Sequence, residues 1–232
     1  MTANLTKTNN MPTTPLRTLF VLLFYLLLAI PNLSAQEDKK PVRWGIQFGY
    51  ATQQTKPFHD LDYDFEQGVI IGHILLKKIY HEAFQIDIIA EGGYYFATHQ
   101  LINKWFTRTV FFNDFPESFH REMLQKKSVH EVVAHLGAEI SHFIRPNVQL
   151  YGYAAIGPMW VSQQTERLAP GFAFSDNLGM GVKLKLTAKV WLNTMLVIRH
   201  ESNANLKFPN SGHNTLGVRM GVVFNLTPPH KG

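Results

Sequence analysis

The sequence predicts an all-β protein, an eight-stranded antiparallel up-and-down transmembrane β-barrel. Three observations predict it: an amino-terminal export signal, eight segments of alternating apolar and polar residues, and connections that alternate between short and long. Composition excludes several other classes. The 232 residues are 45% hydrophobic and 12% aromatic with only 17% charged, which is not the balance of a disordered chain. With no cysteine, disulfide scaffolds and thiolate-held metals are impossible. The net charge of +5 comes without a long basic run, so no nucleic-acid partner is expected.

Residues 1–35 read as a signal peptide and 36–232 as a single barrel domain. Lys7 and Arg17 precede twelve unbroken apolar residues, Leu19 to Ile30, and then comes Pro31-Asn32-Leu33-Ser34-Ala35 with its small residues. As a helix that apolar run reaches only about 18 Å, well short of the ~30 Å hydrocarbon core. A permanent helical anchor is therefore the weaker reading, and cleavage is expected after Ala35. No later stretch is long and apolar enough for a membrane helix, so a membrane location requires strands.

Period-two segments place the strands at Trp44–Gln54, Phe65–Lys77, Ala83–Thr98, Val129–Phe143, Val148–Gln163, Phe172–Thr187, Lys189–Asn203 and Asn214–Leu226. The second and third join through Lys78–Glu82, the fourth and fifth through Ile144–Asn147, and the sixth and seventh near Ala188. The other connections are longer: Thr55–Asp64, His99–Ser128, Gln164–Gly171 and Ala204–His213. Short turns at one end and long loops at the other are the pattern of an outer-membrane barrel with its long loops outside. An even strand number returns both termini to the short-turn end.

Alternation also assigns the faces. Val190, Leu192, Thr194, Leu196 and Ile198 face lipid on strand seven, as do Leu216, Val218, Met220, Val222 and Phe224 on strand eight. On strand six Leu178, Met180, Val182, Leu184 and Leu186 oppose Asn177, Gly179, Gly181, Lys183 and Lys185. A soluble sandwich or lipocalin-like barrel would show similar alternation, with the apolar face inward. The export signal, the loop asymmetry and the glycines of the polar face favour the membrane barrel, whose narrow interior holds only side chains.

Chemistry concentrates in Arg199-His200-Glu201-Ser202-Asn203-Ala204 and Pro209-Asn210-Ser211-Gly212-His213-Asn214. His200 and Ser202 are two apart on a strand, so they share a face with Cα atoms roughly 6.6 Å apart. That sets a base beside a nucleophile. Both continue the lipid face of strand seven, and Asn214 continues that of strand eight. A catalytic group on an outer wall makes sense only for a membrane lipid.

A His-x-Ser pair on a strand is by itself usually incidental. Joined to the Pro-Asn-x-Gly turn, it closely resembles the motif of the lipid A 3-O-deacylase (PagL) family of outer-membrane esterases, over about fifteen residues from His200 to Asn214. The resemblance implies an outer-membrane esterase that hydrolyses an ester-linked acyl chain of lipid A, or lipopolysaccharide, in the outer leaflet. It implies Ser202 as nucleophile and His200 as general base, with Asn203 and a backbone N–H near Asn205 holding the oxyanion. No cofactor or metal is expected, and a homodimer is left open. Two positions depart from the family pattern: Asn214 stands where a glutamate completes the triad, and Asn205 where glycine is usual. Asparagine can orient an imidazole but cannot neutralise imidazolium, so activity is expected to be reduced. In a serine protease, Asp to Asn at the third position costs about 10⁴ in rate, largely through the wrong tautomer. No replacement acid is expected on the outer face, since Glu201 points the other way and Glu139 belongs to the polar face. The competing reading is a non-catalytic outer-membrane barrel, adhesin-like or structural.

Other residues carry weaker signals. His130 and His135 lie on opposite faces of strand four, so they cannot share a metal. His73, His81, His99 and His120 form no ligand spacing. Asp60, Asp62 and Asp64 resemble the start of a calcium loop but lack its glycine and closing glutamate. Trp105 and Phe111-Phe112-Asn113-Asp114-Phe115 suit a membrane interface or a lid. Lys104, Arg108, Arg121, Lys126 and Lys127 read as solvated surface before phosphate contacts. The leader assignment is checked by amino-terminal sequencing of protein purified from outer membranes, where the mature chain is expected to begin at Gln36.

Overall fold

A computed structural model describes residues 43–81, 83–103 and 117–225. Eight strands form a closed antiparallel ring in chain order: β1 (Arg43–Thr52), β2 (Tyr63–His81), β3 (Phe84–Leu101), β4 (Lys127–Arg145), β5 (Val148–Val161), β6 (Gly171–Lys185), β7 (Val190–Ser202) and β8 (His213–Asn225). β1 pairs with β8 from Arg43↔Asn225 to Thr52↔Leu216, which closes the ring and leaves no edge. A closed ring satisfies the backbone of every strand within the sheet, as a membrane-spanning sheet requires.

All eight expected strands are present, and the differences are local. β2 continues through Ile79 and Tyr80 to His81, absorbing most of the expected turn, because an irregularity between Leu75 and Lys77 restores its pairing with β3. One element was not anticipated: helix α1 (Glu117–Met123), in the long β3–β4 connection. Glu117 in its first turn and Arg121 in its last complement the helix dipole, and Phe119 and Met123, four apart, turn one face inward. Trp105, Lys104, Arg108 and the 111–115 aromatic run lie outside the described residues. Lys126 and Lys127 pair with Glu66 and Glu122 respectively.

The face assignment agrees with burial along the strands. Phe48, Val132, Leu136, Ile156, Leu178, Met180, Leu196 and Val218 are exposed on the outside, forming the lipid-facing belt of a transmembrane barrel. The inside is polar and filled. At the short-turn end Arg43 donates to Asp87 at 2.5 Å and to Glu139 at 3.0 Å, and Lys183 also pairs with Glu139. Midway, Tyr153 donates to Glu91 at 2.6 Å, and Arg219 to Tyr95 at 2.7 Å and Asn177 at 2.8 Å. Above them Arg199 pairs with Glu131 at 2.7 Å and with Glu201, over the ring of Tyr95 at 3.6 Å. His135 sits in this interior 3.4 Å from Glu91, whereas His130 is outside, bonded to the Tyr94 hydroxyl at 2.8 Å.

The long-loop end is closed by an apolar cap of Tyr63, Phe65, Leu101, Phe119, Met123 and Leu168. The β5–β6 loop folds into it. Arg167 lies 4.0 Å over the Tyr63 ring and donates to Asp60 at 2.6 Å. Among the described residues no acidic or histidine cluster could hold a metal. Removing one partner of a buried ion pair strands the other charge, at about 3–5 kcal/mol. Glu139→Ala, which leaves Arg43 and Lys183 with less anionic compensation, is therefore expected to lower resistance to urea in a refolded, heat-modifiable barrel by about that amount. Glu139→Gln, which keeps the hydrogen bonds, should lose less.

Candidate active site on the outer wall

The site stands at the long-loop end of β6, β7 and β8. Strand parity places it there: Arg199 and Glu201 are buried in the interior, so His200 and Ser202 project from the outer wall, half-buried. Register then supplies the neighbours. His200 is opposite Asn214 of β8 on one side and opposite Asp176 of β6 on the other. His200 Nδ1 lies 2.8 Å from Asn214 Oδ1. An amide oxygen only accepts, so Nδ1 carries the proton in this contact. That tautomer leaves the Nε2 lone pair free to accept from a hydroxyl.

The β7–β8 loop is held by a second loop. Ala169 N–H donates to Pro209 O at 2.9 Å, Gly212 N–H donates to Arg167 O at 3.0 Å, and Leu168 bridges Asn210. Gly212 has φ of 73°, and a Cβ there would stand 2.6 Å from Glu201 O and 3.2 Å from the His200 ring. Only glycine closes the loop this tightly against the imidazole. The next residue, His213, turns inward, stacks on Phe65 at 4.0 Å and meets the Thr165 hydroxyl at 2.9 Å. The Pro-Asn-x-Gly segment is thus anchored through the cap of the barrel.

Asn203 is buried, and its side-chain amide donates to Lys207 O at 2.6 Å, while its backbone N–H donates to Asn210 Oδ1 at 2.6 Å. Asn210 also donates to Asn205 Oδ1 at 3.0 Å. Asn203 therefore shapes the loop. Ala204 and Asn205 follow in the left-handed region, with φ of 52° and 61°, a conformation that costs an alanine about 1–2 kcal/mol. Their N–H groups donate to no acceptor among the described residues. The loop thus holds strained backbone with free donors just past Ser202.

The structure brings His200, Ser202 and Asn214 to one face, with Asn203 and Asn205 in the adjoining loop. It also adds Asp176, which inspection of the sequence missed. Asp176 has the parity of Leu178 and Met180, so the alternation of strand six already put it on the outer wall. Its position across from His200 depended on the β6–β7 register, which the sequence did not reveal. Two steps further down each strand begins an apolar groove of about 580 Å³, lined by Ile140, Leu150, Gly152, Met180, Leu196 and Val218 among others. Leu196 is four residues from His200, about 13 Å along the strand. Gly152 leaves the groove open, since a Cβ there would touch nothing within 4 Å.

Comparison with known proteins bears on the fold and the family. No curated protein matches the sequence. Among solved structures, that of the outer membrane enzyme PagL superposes with a TM-score of 0.52 at 14% identity, covering 77% of this chain and 97% of that one. The N-terminal β-barrel domain of Pseudomonas aeruginosa OprF aligns with a TM-score of 0.41 at 13% identity, over 79% and 96% of the two chains. Likeness at such identities speaks to the fold alone. The family model for lipid A 3-O-deacylase (PagL) matches residues 90–223, more than half of the chain, and includes β4 to β7, nearly all of β8 and the whole His200–Asn214 motif. The chain belongs to the lipid A 3-O-deacylase (PagL) family.

Proposed function

We propose that the protein is an outer-membrane esterase that removes an ester-linked acyl chain from lipid A in the outer leaflet. The observation that carries this reading is an imidazole in the base-competent tautomer, held by Asn214 beside Ser202, on a wall that faces lipid. In this reading Ser202 Oγ attacks the ester carbonyl carbon as its proton passes to His200 Nε2. The tetrahedral oxyanion is met by the unengaged N–H groups of Ala204 and Asn205, while Asn203 keeps their loop in shape. Collapse breaks the acyl C–O bond, and His200 returns the proton to the departing sugar hydroxyl. Water, deprotonated by His200, then attacks the acyl-serine and frees the fatty acid. The apolar groove below His200 is where the acyl chain would lie. No resident cofactor or metal is part of this chemistry, and nothing in the fold or the comparisons supports a homodimer.

Asn214 takes the place of a carboxylate triad partner, so at that position the imidazolium formed in the transition state is oriented without being neutralised. The reading is tested by mass spectrometry of lipid A from cells with and without the protein. The parent is expected to remove one acyl chain, and Ser202→Ala and His200→Ala to leave lipid A intact while the barrel stays heat-modifiable. Unchanged lipid A with the parent protein would favour a structural or adhesin-like barrel. In the same assay Asn214→Ala is expected to lower turnover, by about tenfold or more, with the fold retained. Parent-like activity would remove Asn214 from the mechanism.

A further inference from the structure

Asp176 stands directly across from His200 on β6, on the side away from Asn214. Residues so paired have Cβ atoms about 4.5–5.5 Å apart. Asp176 is half-buried, and its Oδ1 is shielded from solvent without any hydrogen-bond partner. Its other neighbours on the outer wall are Ile156 across on β5, and Phe174 and Leu178 two residues away on its own strand. An unpaired carboxylate among apolar side chains is unfavourable, and among these neighbours only His200 can become a cation.

We infer, building on the Ser202–His200 reading above, that Asp176 supplies the negative charge that Asn214 lacks, making it a positioning residue that acts through His200. The two roles of a triad acid are then divided between two strands. Asn214 fixes the tautomer by accepting from Nδ1, and Asp176 stabilises the imidazolium through space. No new covalent step is involved: the proton moves from Ser202 to His200 and on to the leaving hydroxyl, then from water to His200 and back to Ser202, and Asp176 exchanges no proton in either half. Other charged groups do not take this part. Arg199, Glu201 and His213 are buried on the interior face. On the outer wall the ring meets Asn214 on β8 and Gly212 in the loop, and Ser202 is the next residue on the same face of its own strand.

The test measures kcat and KM on lipid A in detergent–lipid mixed micelles, using the full barrel and checking heat-modifiable migration for every variant. Asp176→Asn keeps shape and polarity and is expected to lower kcat by roughly 10–100-fold with little change in KM, because the lost interaction exists only once His200 is charged. Asp176→Glu should recover part of that loss. Asn214→Glu provides a charge on the opposite side, so Asp176→Asn in that background should cost less than in the parent, about tenfold or under. A parent-like kcat for Asp176→Asn would overturn the inference. So would a rise in KM at unchanged kcat, which would make Asp176 a substrate contact, or a full loss retained in the Asn214→Glu background. Failure of this inference alone leaves Ser202→Ala inactive, whereas an active Ser202→Ala overturns the underlying esterase reading as well.

Discussion

Arg199 is the pin on which the outer wall depends. Its guanidinium is held inside the barrel by Glu131 and Glu201, donates also to Ser175 and Gln67, and stands 3.6 Å over the Tyr95 ring. Residues on a strand alternate, so burying Arg199 and Glu201 forces His200 and Ser202 outward. A one-residue slip of β7 would bring the imidazole and hydroxyl inside and leave a guanidinium and a carboxylate against hydrocarbon. A cation facing lipid near the interface, where Arg199 stands, costs only about 0–1 kcal/mol, so the larger penalty is the stranded interior partners, at about 3–5 kcal/mol. The interior ion pair thus sets the position of groups it never touches.

The same economy runs through the end of the barrel. The start of β2 and the cap are not separate from the site, because the loop that carries Pro209, Asn210 and Gly212 hydrogen-bonds to the loop that carries Arg167 and Ala169. Arg167 in turn rests on Tyr63 and Asp60 at the start of β2 and just before it. The backbone that presents Ala204 and Asn205 in an uncommon conformation is therefore supported from across the barrel mouth. Strained conformations persist where the surroundings over-determine them, and here the surroundings are the cap.

How much of this could be read from the sequence follows from the range of the interactions. Strand identity and facing were legible, because each strand has lipid on one side and a packed interior on the other, and that contrast is written at period two. The His200, Ser202 and Asn214 face followed from parity and a motif only fifteen residues long. Helix α1 and the inward-folded Thr165–Ala169 loop were not legible. They are held by contacts between distant positions, such as Arg167 with Asp60 or Met123 within the Tyr63 cluster, and no local pattern encodes them. Asp176 falls between the two cases. Its face was readable, but its partner was set by a hairpin register that depends on the Leu186–Lys189 turn, where Thr187 accepts from the N–H groups of Lys189 and Val190.

The filled lumen has a consequence of its own. Arg43, Asp87, Glu139 and Lys183 at one end, the Tyr95–Arg219–Asn177 and Tyr153–Glu91 contacts in the middle and the aromatic cap at the other occupy the space through which an ion would have to pass. Arg43 and Lys183 are already paired with Asp87 and Glu139, and Arg219 is held by Tyr95 and Asn177, so a permeating ion would have to break these contacts. The barrel is consequently a wall rather than a pore. A cell could hold many copies without losing the permeability barrier, and the whole interior can be given over to rigidity while the chemistry is done on the outside.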